Sequence, residues 1–161
     1  MTRPITRRQT CDGRSAAGRP RAAGLQTGRA AIIQSDVSSI LIADRDYSVR
    51  EVLAEVTRDH FPGTSVHLAR SGEELLEIVP KLLPPSAAVL HWGLTENLGE
   101  CVGRLRAAGV PILLVSAWDL PGAIAAVGPT EASLQKPFDL GDYVATIRRL
   151  LERRTGSDGL A

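Results

Sequence analysis

Six side chains able to do chemistry fall where short apolar runs end: Asp44, Arg45 and Asp46 after "SILIA", His91 closing "AAVLH", Ser116 closing "ILLVS", and Lys136 after "ASLQ". Open α/β sheets gather their ligands at the carboxyl ends of the strands, near the switch in strand order. The six are therefore expected to line one polar pocket. Divalent-cation chemistry is poorly served by this set. Mg²⁺ takes near-octahedral oxygen ligands, usually one or two carboxylates plus water, whereas Asp44 has a guanidinium (Arg45) and an imidazole (His91) alongside. Asp46 lies one residue beyond Arg45, and strand side chains alternate, so it is expected to leave the pocket or enter the loop.

The same residues admit quieter roles. Arg45 is expected to pair with Asp44 or Asp46 and supply a permanent positive charge; Lys136 to bridge to Asp44; and Ser116 to satisfy backbone groups. His91 reads first as a hydrogen-bonded structural histidine and second as a group titrating near neutrality. Hydrolytic chemistry is excluded on motif, since the chain holds no G-x-S-x-G and no HExxH. Flavin binding is disfavoured because the first strand leads into "DRDYSVR", with no glycine and with negative charge where a phosphate loop would sit. Cys11 and Cys101 form no CxxC or Cys/His cluster. Both are expected to be free thiols.

The elements that must position these groups alternate along the chain from Ser38 onward, short β-type runs with segments of helical period, as in a parallel sheet covered on both faces. "SILIAD" is continuous in apolar residues, the mark of a strand buried on both sides. A first helix is expected with Ser48 and Glu51 as capping box and Val49, Val52, Leu53 and Val56 inward. "TSVHLAR" follows as strand two, and "SGEELLEIV" as a second helix capped by Ser71 and halted by Pro80, Pro84 and Pro85. "AAVLH" is strand three. The third helix runs from about Gly99 to Ala108 with Val102 and Leu105 inward and Gly109 as its C-terminal αL residue. "VPILLVSA" is strand four, "WDLPGAIAAVG" has room for about two helical turns, and "ASLQKPF" is strand five. Asp139 caps the last helix, with Leu140, Val144, Ile147 and Leu151 as its stripe and Phe138 stapled onto Tyr143.

The chain has 161 residues, 43% of them hydrophobic, and a formal charge of +1. That suits one domain with residues to spare. The charge is uneven: residues 1–36 carry seven arginines against Asp12 and Asp36, leaving the rest at −4. This segment lacks apolar periodicity and is expected to be disordered. It reads either as a solvated extension or as a basic arm for nucleic acid or acidic lipid. The division expected is 1–36 as extension, 37–155 as the folded domain and 156–161 as a frayed end. No run approaches the ~20 apolar residues of a membrane span, and no signal-peptide h-region opens the chain. The expected location is the cytoplasm.

Five motifs, in order, resemble the receiver domain of bacterial two-component response regulators over residues 38–154: "ILIADRDYSVREVL", "SGEELLE", "HWGLTENLG", "VPILLVSA" and "LQKPFD". The resemblance implies a doubly wound, flavodoxin-like (CheY-like) α/β fold: a five-stranded parallel sheet of order 2-1-3-4-5, helices on both faces, and a cis bond between Lys136 and Pro137. In that family an aspartate ending strand three accepts a phosphoryl group from a histidine kinase. Mg²⁺ held by it and by two acids after strand one offsets the charge in flight, and a lysine grips a phosphoryl oxygen. Carried over, Asp44 matches the first acid and is the only metal ligand retained, Ser116 the switch hydroxyl and Lys136 the lysine. His91 stands at the phosphoacceptor position, and Arg45 replaces the second acid. The family's aromatic switch falls at Ser133.

The expectation is thus a degenerate, stand-alone receiver, not an enzyme, binding no Mg²⁺ and working by phosphorylation-independent protein contact. Its partners would be signalling proteins, such as a histidine kinase or a transcription regulator. The alternative is a working phosphoacceptor using His91 or a nearby carboxylate. Many relatives dimerise through the fourth helix, fifth strand and fifth helix, so a homodimer is a further expectation. Nucleic acid is expected only through the arginine tail. Trp118, near the start of the fourth helix, reads either as an interface anchor or as a packed side chain.

Overall fold

The computed structural model describes residues 38–94 and 96–157. The segment 1–36, with Cys11 in it, lies outside the described residues, as do residues 158–161 of the expected frayed end. The elements run β1 (Ser39–Ala43), α1 (Tyr47–His60), β2 (Ser65–Ala69), α2 (Gly72–Ile78), β3 (Ala87–His91), α3 (Leu98–Ala107), β4 (Ile112–Ser116), α4 (Leu120–Val127), β5 (Ala132–Gln135) and α5 (Leu140–Ser157). The sheet is parallel throughout in the order β2-β1-β3-β4-β5, the doubly wound, flavodoxin-like order that the motifs imply.

Because strand side chains alternate, the three central strands feed two apolar layers. Leu41, Leu90, Ile112 and Leu114 pack with Leu75, Leu98, Leu105 and Ala123 from α2, α3 and α4. Ile40, Ile42, Val89, Leu113 and Val115 pack with Leu53 of α1 and Tyr143 and Ile147 of α5. Burying each such aliphatic side chain is worth about 1.5–3 kcal/mol. Both layers end where the polar residues begin, so the sheet is a rigid platform that presents its carboxyl edge.

Helix ends follow local chemistry, with several departures from expectation. Asp46, not Ser48, caps α1: its backbone is extended and its side chain accepts a hydrogen bond from Val49 N at 3.1 Å. Ser48 lies within the first turn, so its side chain is already past the cap. Val52 remains 44% exposed, because the buried stripe of α1 centres on Leu53, Ala54 and Thr57. Leu140 is exposed as well. Tyr143 takes the inward place instead, stacking on Phe138 at 6.4 Å and sharing a 2.8 Å hydrogen bond with Thr57 Oγ1. Ser71 caps α2 as expected, while Glu74 reaches back to Arg70 N rather than to the cap. α5 continues through Ser157, past the expected fraying point at residue 156. The Lys136–Pro137 bond is cis.

Candidate functional site

β1 ends in Asp44, which is 2% exposed and anchored to the sheet by its backbone N–H to Ala69 O at 3.1 Å. Both carboxylate oxygens hold donors: Oδ1 accepts from Asp46 N at 2.9 Å and Oδ2 from Lys136 Nζ at 2.8 Å. The lysine arrives from the end of β5, where Lys136 N donates to Ser116 O at 2.7 Å. A main-chain bond thus joins Lys136 to Ser116, and the Asp44–Lys136 side-chain ion pair links them to the end of β1.

His91 ends β3 beside this pair, its Nδ1 3.6 Å from Asp44 Oδ1. Nδ1 also accepts the Gly93 N–H at 3.2 Å, so the neutral ring carries its proton on Nε2 by the logic of the network. Nε2 is buried and has no hydrogen-bond partner among the described residues. Burial lowers the His91 pKa below 6.5, Asp44 working against that shift and Lys136 with it. Position 93 needs a glycine: a Cβ there would sit 2.8 Å from the imidazole.

Arg45 makes neither expected ion pair. Its guanidinium donates to Gly93 O at 3.3 Å, and no salt bridge to it occurs among the described residues. The reason is occupancy. Lys136 and Asp46 N hold the Asp44 oxygens, and the Asp46 carboxylate caps α1 outside the pocket, as strand alternation anticipates. Ser116 is fully buried and its hydroxyl donates to Trp118 O. Trp118 itself is 76% exposed, the open rather than the packed alternative. Ser133 is half-buried on β5.

One participant escaped the sequence reading. Arg50 Nη1 donates to Asp44 O at 2.7 Å while its guanidinium lies over the Tyr47 ring at 5.5 Å. Nothing in its spacing separates it from an ordinary solvent-facing helical arginine. Cys101, buried against Gly72 O, is a free thiol whose pKa is pushed up to about 11, chiefly by burial. Among the described residues no three His, Cys, Asp or Glu side chains are grouped as a metal site requires, and no helix is long and apolar enough to cross a membrane.

No protein-family model matches the chain. Similar proteins are response regulators. MprA of Mycolicibacterium vanbaalenii is 37% identical over 125 residues, covering 74% of this chain and 53% of that protein. MprA of Mycobacterium leprae is 39% identical over 127 residues, covering 76% and 54%. The chain thus spans about half the length of the curated relatives it matches. Among solved structures, the chemotaxis response regulator CheY4 of Vibrio cholerae superposes with a TM-score of 0.60 at 24% identity, covering 71% of this chain and 99% of that one. A response regulator receiver modulated diguanylate cyclase from Pelobacter carbinolicus gives 0.64 at 21% identity, covering 76% and 99%. The strand order and the superpositions give the folded body of this chain the fold of response regulator receiver domains, and its sequence is similar to that of response regulators over the same residues.

Proposed function

We propose that this receiver domain acts without phosphorylation, as a protein-interaction module in two-component signalling. The observation carrying the reading is the state of Asp44: both oxygens are engaged, one by Lys136 Nζ at 2.8 Å and one by Asp46 N at 2.9 Å. A Mg²⁺ ion does not fit this donor set. It would need Asp44 released and further hard oxygen ligands, where the neighbouring side chains are the Arg45 guanidinium and the His91 imidazole. Position 91 offers no carboxylate to form an acyl phosphate. As a nucleophile His91 is badly placed too, since Nδ1 faces the Gly93 N–H and Nε2 is buried.

Two features support protein contact instead. A largely apolar groove of about 540 Å³ opens beside Lys136, between the first turns of α1 and α5, and includes Val49, Val52, Phe138 and Leu140. Trp118, the residue type most enriched in binding hot spots with Tyr and Arg, stands exposed at the same end of the sheet. The partner class is a cytoplasmic signalling protein, a histidine kinase or a transcription regulator. Nucleic-acid contact through residues 1–36 falls outside the described residues.

Incubation with Mg²⁺ and acetyl phosphate, or with beryllofluoride, tests the reading. The expected outcome is no acid-labile phosphate and unchanged amide NMR spectra. Stoichiometric incorporation, lost in His91→Ala, would establish the phosphoacceptor alternative.

A further inference from the structure

α4 is the least anchored helix over the sheet. It is eight residues long, carries no charged side chain, and buries Ala123 and Val127, with Leu120 and Ile124 packed beside them. Its neighbour α3 buries Leu98, Cys101, Val102 and Leu105. The backbone enters the left-handed region just before and just after α4, at Asp119 (φ 43°) and Gly128 (φ 81°). We propose that Arg106, on α3, is a latch that holds α4 closed, and that α4 with the loop after it opens as a unit when the latch lets go, while the rest of the domain stays folded. The inference stands apart from the phosphorylation-free reading, since it concerns how α4 is held whatever binds there.

A helix leaves its last carbonyls without intrahelical donors and carries a partial negative charge at that end. In α4 the carbonyl of Val127 accepts from Arg106 Nη1 at 2.9 Å, and that of Pro129 accepts from Nη2 of the same guanidinium. One planar fork thus spans the end of the helix and the start of the loop, which an ammonium group cannot do in the same way. Gly128 lies between the two carbonyls. A Cβ there would sit 3.2 Å from Arg106 Nη1, and the positive φ favours glycine in any case.

The other side-chain bonds of this stretch are anchors at its two ends or are local to it. The Ser116 hydroxyl donates to Trp118 O before the helix, and Glu131 Oε2 accepts the Ile112 N–H at 2.7 Å after it. Between these anchors, Asp119 Oδ1 accepts Gly122 N in the first turn and Thr130 Oγ1 donates to Ala132 O two residues on. Among the described residues, Arg106 is the one side chain outside this stretch that hydrogen-bonds to residues 119–130. Elements with few buried apolar contacts are the first to open in a folded domain. Opening uncovers the apolar layer beneath Ala123 and Val127, beside the exposed Trp118, so the latch controls how much apolar surface this face offers.

Native-state amide hydrogen exchange of the full chain, resolved by NMR at several low urea concentrations, tests the latch. In the wild type, amides of residues 123–128 should exchange faster than those of β1, β3 and β4, and with a weaker dependence on urea, as a local opening exposes less surface than global unfolding. Arg106→Gln should speed exchange of the α4 amides about tenfold or more, as loss of hydrogen bonds from a charged donor predicts. Arg106→Lys, which keeps the charge and loses the fork, should speed it by a smaller factor and keeps the test decisive should the glutamine variant fail to fold. Exchange of the α4 amides at the rate and urea dependence of the strands, or exchange unchanged by the substitutions, would overturn the proposal.

Discussion

The two sides of the Asp44 pocket are built differently. On one side Asp44 and Lys136 form an ion pair in which each carboxylate oxygen has a donor within 3 Å, reaching between the ends of β1 and β5, with β3 and β4 between them in the sheet. On the other side His91 approaches Asp44 only to 3.6 Å and leaves Nε2 buried without a partner among the described residues, and the loop that follows it is met by Arg45, from the loop after β1, through Gly93 O. The contrast separates two requirements that one pocket can meet together. A lysine bridging to an acid can hold the sheet's carboxyl edge by itself. A reactive centre needs the opposite side as well, and there the groups are matched neither to each other nor to a metal.

The largest expected effect tests the well-matched side. Asp44→Ala leaves the Lys136 ammonium and the Asp46 N–H without their acceptor, and should lower unfolding stability by about 3–5 kcal/mol in urea denaturation. Lys136→Met should cost a comparable amount, and the double variant less than the sum. Additive losses would mean that the pair carries no coupling, and the contrast between the two sides would fail.

His91→Phe should change stability by under about 1 kcal/mol near neutral pH, because removing an unpaired buried donor offsets losing the acceptor for Gly93 N–H. A pH dependence sharpens this. Burial lowers the folded-state pKa below 6.5, so the unfolded chain takes the proton first. The stability contributed by the neutral ring is therefore complete above 6.5 and is lost as pH falls through the folded-state value. NMR titration of the His91 ring reads that pKa directly, and denaturation at stepped pH should show a shallower acid slope in His91→Phe than in the wild type. An unaltered slope would place the proton uptake on other groups. The smallest effect is at Arg45: Arg45→Ala should shift stability by no more than about 0.5 kcal/mol, and a larger loss would show its contact with Gly93 O to be structural.

How much of this could be read in advance depended on the range of the interaction. β1, β3 and β4 are continuous apolar runs ending at polar residues, and such runs have few alternatives once helices must cover both faces. That placed Asp44, His91, Ser116 and Lys136 correctly at one end. The cap of α1 was ambiguous because Asp46 and Ser48 are both good cap residues, and only the extended backbone at Asp46 decides between them. Arg45 was misassigned for a related reason: the competition among Lys136, Asp46 N and Arg45 for the Asp44 oxygens is settled in three dimensions. Val52 and Leu140 sit at the margins of their helical stripes, where a periodicity argument cannot tell the edge from the face.

Cys101 turns the packing of the molecule into something that can be timed. Its sulfur lies against Gly72 O at 3.5 Å, and a side chain on Gly72 would run into Glu96 O, so the start of α2, the loop after β3 and the first turn of α3 close over the thiol as one seam. Alkylating reagents attack only the thiolate, and here both the cover and a pKa raised to about 11 withhold it. The rate at which Cys101 is captured under native conditions, followed separately from Cys11, therefore measures how often the seam parts.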